Sequence, residues 1–386
     1  MKKRWFIAGI LVLVLLTVSS VYVFSTKNEN LLTTEQLPSV ITNSVAALYF
    51  STTADQDMNR DGLSFAVFIN KEGQTDVFEM DGLELGTIHG NDESFFLEDR
   101  SHVHVVDQKG TKTFAIEGEE HTGEVTGFRN GMYYSVYNSG FNEEGGYSSN
   151  IRVGNKDGFK TIEIPYYLHM SGITEDELMM VAGEEEYISL FTMPLQDSVQ
   201  IEEVVPLGKV GDRLGLSPIV KADGAYFLLI SDTQKLTSEL YRIDGQAKTV
   251  EMFPFLTYKD AEDYRIRVPY NLRNAAAVIG DTFYYVDGVG EVHSIHVETG
   301  ETGLAFSLEG ASTGSLKMSE QTYFQDDKLH FFRYDKATSE HTIDTYDVQT
   351  GKKVSTLPVQ GLADMFDYTN KKNKRISPYD FIVFDK

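Results

Sequence analysis

The sharpest chemical signal in the chain is Asp57-Met58-Asn59-Arg60-Asp61-Gly62. Oxygen-bearing side chains at alternate positions, with glycine at the sixth, match the start of a calcium loop, where glycine permits the sharp turn. Asp57, Asn59 and Asp61 are the candidate calcium ligands, and Asp55 adds charge. The bidentate glutamate that completes such a loop is missing, because Phe68 stands in its place. A polar hairpin tip making Asx turns accounts for the same residues.

Other chemistry-bearing residues are weaker signals. His102 and His104 are two apart, so on a strand they share a face. They could begin a zinc site, but a third ligand at recognisable spacing is not evident. His293 and His296 are three apart and do not share a strand face. The acidic clusters Glu117/Glu119/Glu120, Glu143/Glu144 and Glu184/Glu185/Glu186 fall in turns and read as solvated. Lys371, Lys372, Lys374 and Arg375 form a basic run, suited to an anionic lipid or cell-wall polymer or to a solvated loop. The aromatic-rich connector Met252–Tyr270 is longer than its counterparts and is nominated as a ligand-facing insertion. There is no Gly-x-Ser-x-Gly, no His-Glu-x-x-His and no phosphate-binding glycine loop. No catalytic residue is assigned.

These residues are carried on short strands. From Val45 onward no long 3.6-residue apolar period appears. Runs of four to eight residues rich in Val, Ile, Phe and Tyr alternate with Gly, Asp and Asn turns. Asn130-Gly131-Met132-Tyr133-Tyr134, Asp223-Gly224-Ala225-Tyr226-Phe227, Gly280-Asp281-Thr282-Phe283-Tyr284 and Asp327-Lys328-Leu329-His330-Phe331 share one form, a polar turn before an aromatic strand. Such units recur about every 40–55 residues, the period of propeller blades. Six groups have four strands, and the first, over residues 45–80, has three. The tail Tyr379–Phe384 reads as the missing innermost strand of that first group. The expected fold is therefore all-β: a seven-bladed β-propeller over residues 44–386, closed by a C-terminal strand joining the first blade.

The turns Val297-Glu298-Thr299-Gly300 and Val348-Gln349-Thr350-Gly351-Lys352 resemble the repeat turn of bacterial quinoprotein-like and YVTN-type seven-bladed propeller proteins. The resemblance covers Val45 to Phe384 and implies the fold alone. Quinoprotein repeats carry a docking tryptophan in each blade, and the one tryptophan here is Trp5. No quinone is expected, and calcium is the one cofactor considered.

The address is written at the N-terminus. Lys2, Lys3 and Arg4 precede an apolar run from Trp5 to Phe24. A run of about 20 residues spans a bilayer as a helix, and the basic cluster keeps its own side cytoplasmic. Residues 1–4 are read as a cytoplasmic end, 5–24 as a transmembrane signal anchor and 25–43 as a stalk. A cleaved signal peptide is the competing reading. The 386 residues contain no cysteine, which removes disulfides and thiolate chemistry. A formal charge of −24 disfavours nucleic acid as a partner. The expected protein is a single-pass, membrane-anchored extracytoplasmic propeller of a bacterial cell surface. It would bind or scaffold a protein or cell-wall ligand without catalysis. The alternative is an extracytoplasmic hydrolase or lactonase using channel carboxylates, with or without calcium.

Overall fold

Seven antiparallel sheets, six of four strands and one of five, follow one another along the chain in a computed structural model. It describes residues 31–384 apart from 58, 91–93, 117–121, 130, 142–145, 175, 185–186, 197–199 and 270–271. The apolar run Trp5–Phe24 lies outside the described residues. Among the described residues, no helix is long and apolar enough to cross a membrane.

The first sheet is built from both ends of the propeller. Its inner strand is Ser377–Val383, followed outward by Ser44–Ser51, Leu63–Asn70 and Thr75–Asp81. Ala46 lies opposite Val383 and Leu48 opposite Phe381. Phe381 and Leu48 are fully buried, so closure is sealed by apolar contact as well as by the ladder. The remaining blades take their strands in chain order, counted two to seven, with the inner strand of blade five split into Arg213–Gly215 and Val220–Ala222. Inner strands of successive blades lie side by side around most of the ring. Between blades six and seven, Thr322 donates to the Asn274 carbonyl at 3.1 Å.

Turn chemistry sets each outer hairpin. In blade seven, Asp347 accepts from the Thr350 amide (2.9 Å) and hydroxyl (2.7 Å). These bonds, with Lys328 beside them, pull its carboxyl down to about 2. Gly351 has φ 65°, and a β-carbon there would meet the Phe306 side chain of blade six at 2.6 Å. Backbone geometry and inter-blade packing both require glycine. Asp107, Asn155 and Asp244 cap the equivalent hairpins of blades two, three and five.

Among the described residues, three short α-helices decorate the ring: α1 (Leu37–Asn43), α2 (Ala261–Arg267) and α3 (Leu362–Lys371). Residues 31–43, within the stretch read as a stalk, are docked rather than free. Leu37 is fully buried, the Leu32 amide bonds the Val77 carbonyl at 2.7 Å, and the Thr34 carbonyl accepts from Thr111. Leu31, Leu32, Leu37, Val40 and Ile41 supply the apolar side that holds them to the first blades. Helix α3 buries Leu362, Met365 and Thr369, spaced three and four apart on one face.

Candidate functional site at the mouth of the channel

Each blade's inner strand begins on the side where the connector from the preceding blade arrives. Three of these strands carry a β-bulge at their third residue. In blade one Tyr379 is the extra residue, in blade three Glu124, and in blade four His169. A bulge leaves one residue outside the ladder and re-aims its side chain and carbonyl. In blades one and three the carbonyls at or beside the bulge, those of Tyr379 and Gly123, face one shared donor.

That donor is Arg273. It sits in the connector leading to the inner strand of blade six, Ala276–Ile279. Its guanidinium donates to the carbonyls of Tyr379 (3.2 Å), Gly86 (3.2 Å), Gly123 (2.9 Å) and Leu85. One side chain therefore ties blade six to blades one, two and three across the axis. Desolvation lowers its pKa, and the carboxylates Asp380 and Glu124 oppose that shift. The rigid fork of five N–H donors suits such a set of acceptors, where a lysine would not.

Asp380, 5% exposed, is committed to the frame. One oxygen accepts from the Ile88 amide of blade two at 2.9 Å. The other accepts from the Asn274 amide group and from the Phe381 amide, each at 2.9 Å. Burial pushes its carboxyl up despite Arg273 and these donors. Glu124 accepts from the Ser171 hydroxyl at 2.8 Å, joining blades three and four.

Beside Glu124 lies an aromatic group. Tyr147 and Tyr167 meet edge to face with centroids 4.8 Å apart, and Tyr167 meets His169 the same way at 4.8 Å. Burial raises both phenols, with Glu124 adding to the effect. Burial lowers the His169 imidazole. Tyr167 is 41% exposed, a large aromatic face left open to solvent. The mouth thus presents tyrosines and an imidazole around a cationic bolt.

The residues singled out from sequence lie elsewhere. Asp57 ends a 3-10 turn, Ala54–Asp57, and its carboxylate holds the Arg100 guanidinium and the Gly62 amide (2.5 Å). Asp61 pairs with Lys374 at 2.7 Å, and Asn59 is exposed. The two carboxylates of the expected calcium loop thus meet side-chain cations of the chain itself. Lys372 pairs with Glu79 at 3.2 Å, so the basic run is pinned to blade one at two points. The three acidic clusters fall on residues 117, 119, 120, 143, 144 and 184–186, whose side chains lie outside the description.

The Met252–Tyr270 connector corrects its nomination. Residues to Thr257 belong to an outer strand, and Phe255 and Tyr258 are buried in the core between blades five and six. Phe253, Phe255, Tyr258 and Tyr264 pack inward because the strand continues past Phe253 before α2 begins, and Tyr270 lies outside the described residues. Arg273, Glu124 and His169 were not visible as a set. A usable signal was Asp380, a lone carboxylate inside the apolar strand Tyr379–Val383.

A family model described as the YycP β-propeller domain matches residues 39–384. The chain is 25% identical to the YycP protein of Bacillus subtilis (strain 168), with 94% of this chain and 95% of that one covered. Among solved structures, a quinoprotein alcohol dehydrogenase-like protein from Bacteroides thetaiotaomicron is similar at TM-score 0.47 and 12% identity, over 88% of this chain and 91% of that chain. An oligogalacturonate lyase in complex with manganese is similar at TM-score 0.47 and 8% identity, over 77% and 84%. A Synechocystis apocarotenoid oxygenase mutant is similar at TM-score 0.46 and 10% identity, over 83% and 90%.

Proposed function

The chain belongs to the YycP β-propeller family, and we propose that it is a membrane-anchored, extracytoplasmic binding protein of the bacterial cell surface that acts without catalysis. The apolar run Trp5–Phe24 behind Lys2, Lys3 and Arg4 supports the anchor and its orientation. The observation that carries binding is the state of the mouth. Its guanidinium is spent on backbone carbonyls, both Asp380 oxygens are spent on N–H donors, and what remains open is an aromatic platform. Hydrolysis by paired carboxylates needs two that are free to exchange protons or attack. Tyrosine and imidazole faces suit a polar protein or cell-wall glycan, offering stacking and hydrogen bonds at low entropic cost.

The test is photo-crosslinking in growing cells, with a benzophenone amino acid replacing Tyr167 in the full-length chain. A discrete adduct is expected, and Tyr147→Ala in the same chain should weaken it at least fivefold. Absence of an adduct, or an adduct indifferent to Tyr147→Ala, contradicts binding at the mouth.

A further inference from the structure

The hairpins joining the second and third strands of blades two and six are built alike. In blade two, Asp99 follows strand Ser94–Glu98, His102 opens strand His102–Asp107, and His104 is the third residue of that strand. In blade six, Asp287 follows Thr282–Val286, Glu291 opens Glu291–His296, and His293 is third. Each aspartate caps its turn with one oxygen. Asp99 accepts from the amides of Ser101 (2.7 Å) and His102 (2.6 Å), and Asp287 from those of Val289 (3.0 Å) and Glu291 (2.9 Å). The other oxygen faces the histidine Nε2, at 3.4 Å from His104 and 3.2 Å from His293.

The two hairpins differ in what neutralises them. In blade six the chain supplies its own cation. Arg267 of α2 places Nη1 2.7 Å from Asp287 and 2.6 Å from Glu291. In blade two, among the described residues, no lysine or arginine nitrogen reaches ion-pair distance of the Asp99 carboxylate. The adjacent Arg100 pairs with Asp57. A second imidazole, His102, stands where Glu291 stands in blade six. Its Nδ1 is 3.4 Å from Asp99 Oδ1 and 3.9 Å from Asp81 Oδ2.

We propose that the blade-two hairpin binds a divalent ion of the zinc class through Asp99, His102 and His104, with Asp81 as the fourth ligand. One ligand atom from each of the first three lies within 4.8 Å of the others. A tetrahedral ion with bonds of about 2.0–2.1 Å separates its ligand atoms by about 3.4 Å. The Asp99 Oδ2–His104 Nε2 pair at 3.4 Å already matches one edge, whereas the 3.4 Å approach of His102 Nδ1 is to the turn-capping Oδ1, so His102 must turn toward Oδ2. His102 and Asp81 have side chains 41% and 50% exposed, free to close the remainder. Two imidazoles favour a first-row ion over calcium or magnesium. Thr113 Oγ1 lies 3.0 Å from His104 Nδ1. Accepting that proton leaves the Nε2 lone pair facing the ion, the outer-shell support that zinc histidines use. Asp99 and His104 are buried, while His102 and Asp81 form the entrance.

The experiment is calorimetric titration of the full-length, untagged, metal-stripped chain with zinc chloride, with cobalt(II) as a spectroscopic probe. One zinc equivalent is expected at micromolar affinity or tighter, and cobalt should show the intense visible bands of tetrahedral coordination, bleached by zinc. His102→Ala, half-exposed, should fold as the parent and weaken binding at least tenfold. Asp81→Asn provides a second variant, altering a side chain that is 50% exposed, and should weaken it less. No heat with zinc at 100-fold excess, an octahedral cobalt spectrum, or unchanged affinity in both variants overturns the site.

Discussion

Charge buried at single residues sets how this protein responds to pH. Glu320 follows a 3-10 turn ahead of the inner strand of blade seven, and its two oxygens accept from the Ser312 amide at 2.9 and 3.2 Å. Burial pushes its carboxyl up to about 7, against the amide and nearby cations. A raised carboxyl pKa means that the folded chain keeps a proton that the unfolded chain has released. Stability therefore falls as pH rises from about 4.5 to about 7, by up to about 3 kcal/mol. Glu320→Gln should match the parent at pH 4 and exceed it at pH 8. Denaturant midpoints at the two pH values read this directly, and equal pH slopes in parent and variant would refute it.

At the scale of elements, the closing strand joins both ends of the propeller domain. Tyr379, Phe381, Ile382 and Phe384 are all buried. At about 1.5–3 kcal/mol each, they contribute roughly 6–12 kcal/mol, comparable with the whole stability of a typical domain. Deleting residues 379–386 should abolish cooperative melting, whereas shortening the exposed hairpin 336–339 should move the midpoint by only a few degrees. A truncated chain that melts like its parent would show that the ring does not depend on this strand. Strands and closure were legible in the sequence because alternation and turn residues are local. The blade-two and blade-six hairpins were half legible: the His102/His104 pair is written in one strand, but Asp99 joins it only through the turn. The bulges were not legible. Whether Glu124 or His169 leaves its ladder depends on register with a neighbouring strand, and two bulged residues fall in otherwise ordinary segments. Arg273 was the least legible, since its carbonyl partners lie 106 to 188 residues away in sequence. The aromatic connector misled for the opposite reason: core and ligand-facing aromatics look alike until Phe255 and Tyr258 are placed.

As a whole molecule, the protein is a ring whose axis is bolted and whose mouth is aromatic. The bolt spans blade six to blades one, two and three, so the platform at blades three and four is held by a frame that strand ladders alone would not fix. A charge of −24 on 386 residues keeps copies apart and leaves the mouth to a partner of matching chemistry. The chain contains no cysteine, which makes single-cysteine labelling clean. The decisive measurement compares Tyr167→Cys at the mouth with Leu304→Cys, 57% exposed on the outer strand of blade six. Each full-length variant is reacted with a membrane-impermeant maleimide, in intact cells and after purification. The account predicts that position 304 labels equally in both settings, while position 167 labels readily when purified and is shielded in cells. Failure of both positions to label in intact cells, or equal labelling of position 167 in the two settings, would contradict an extracytoplasmic propeller with an occupied mouth.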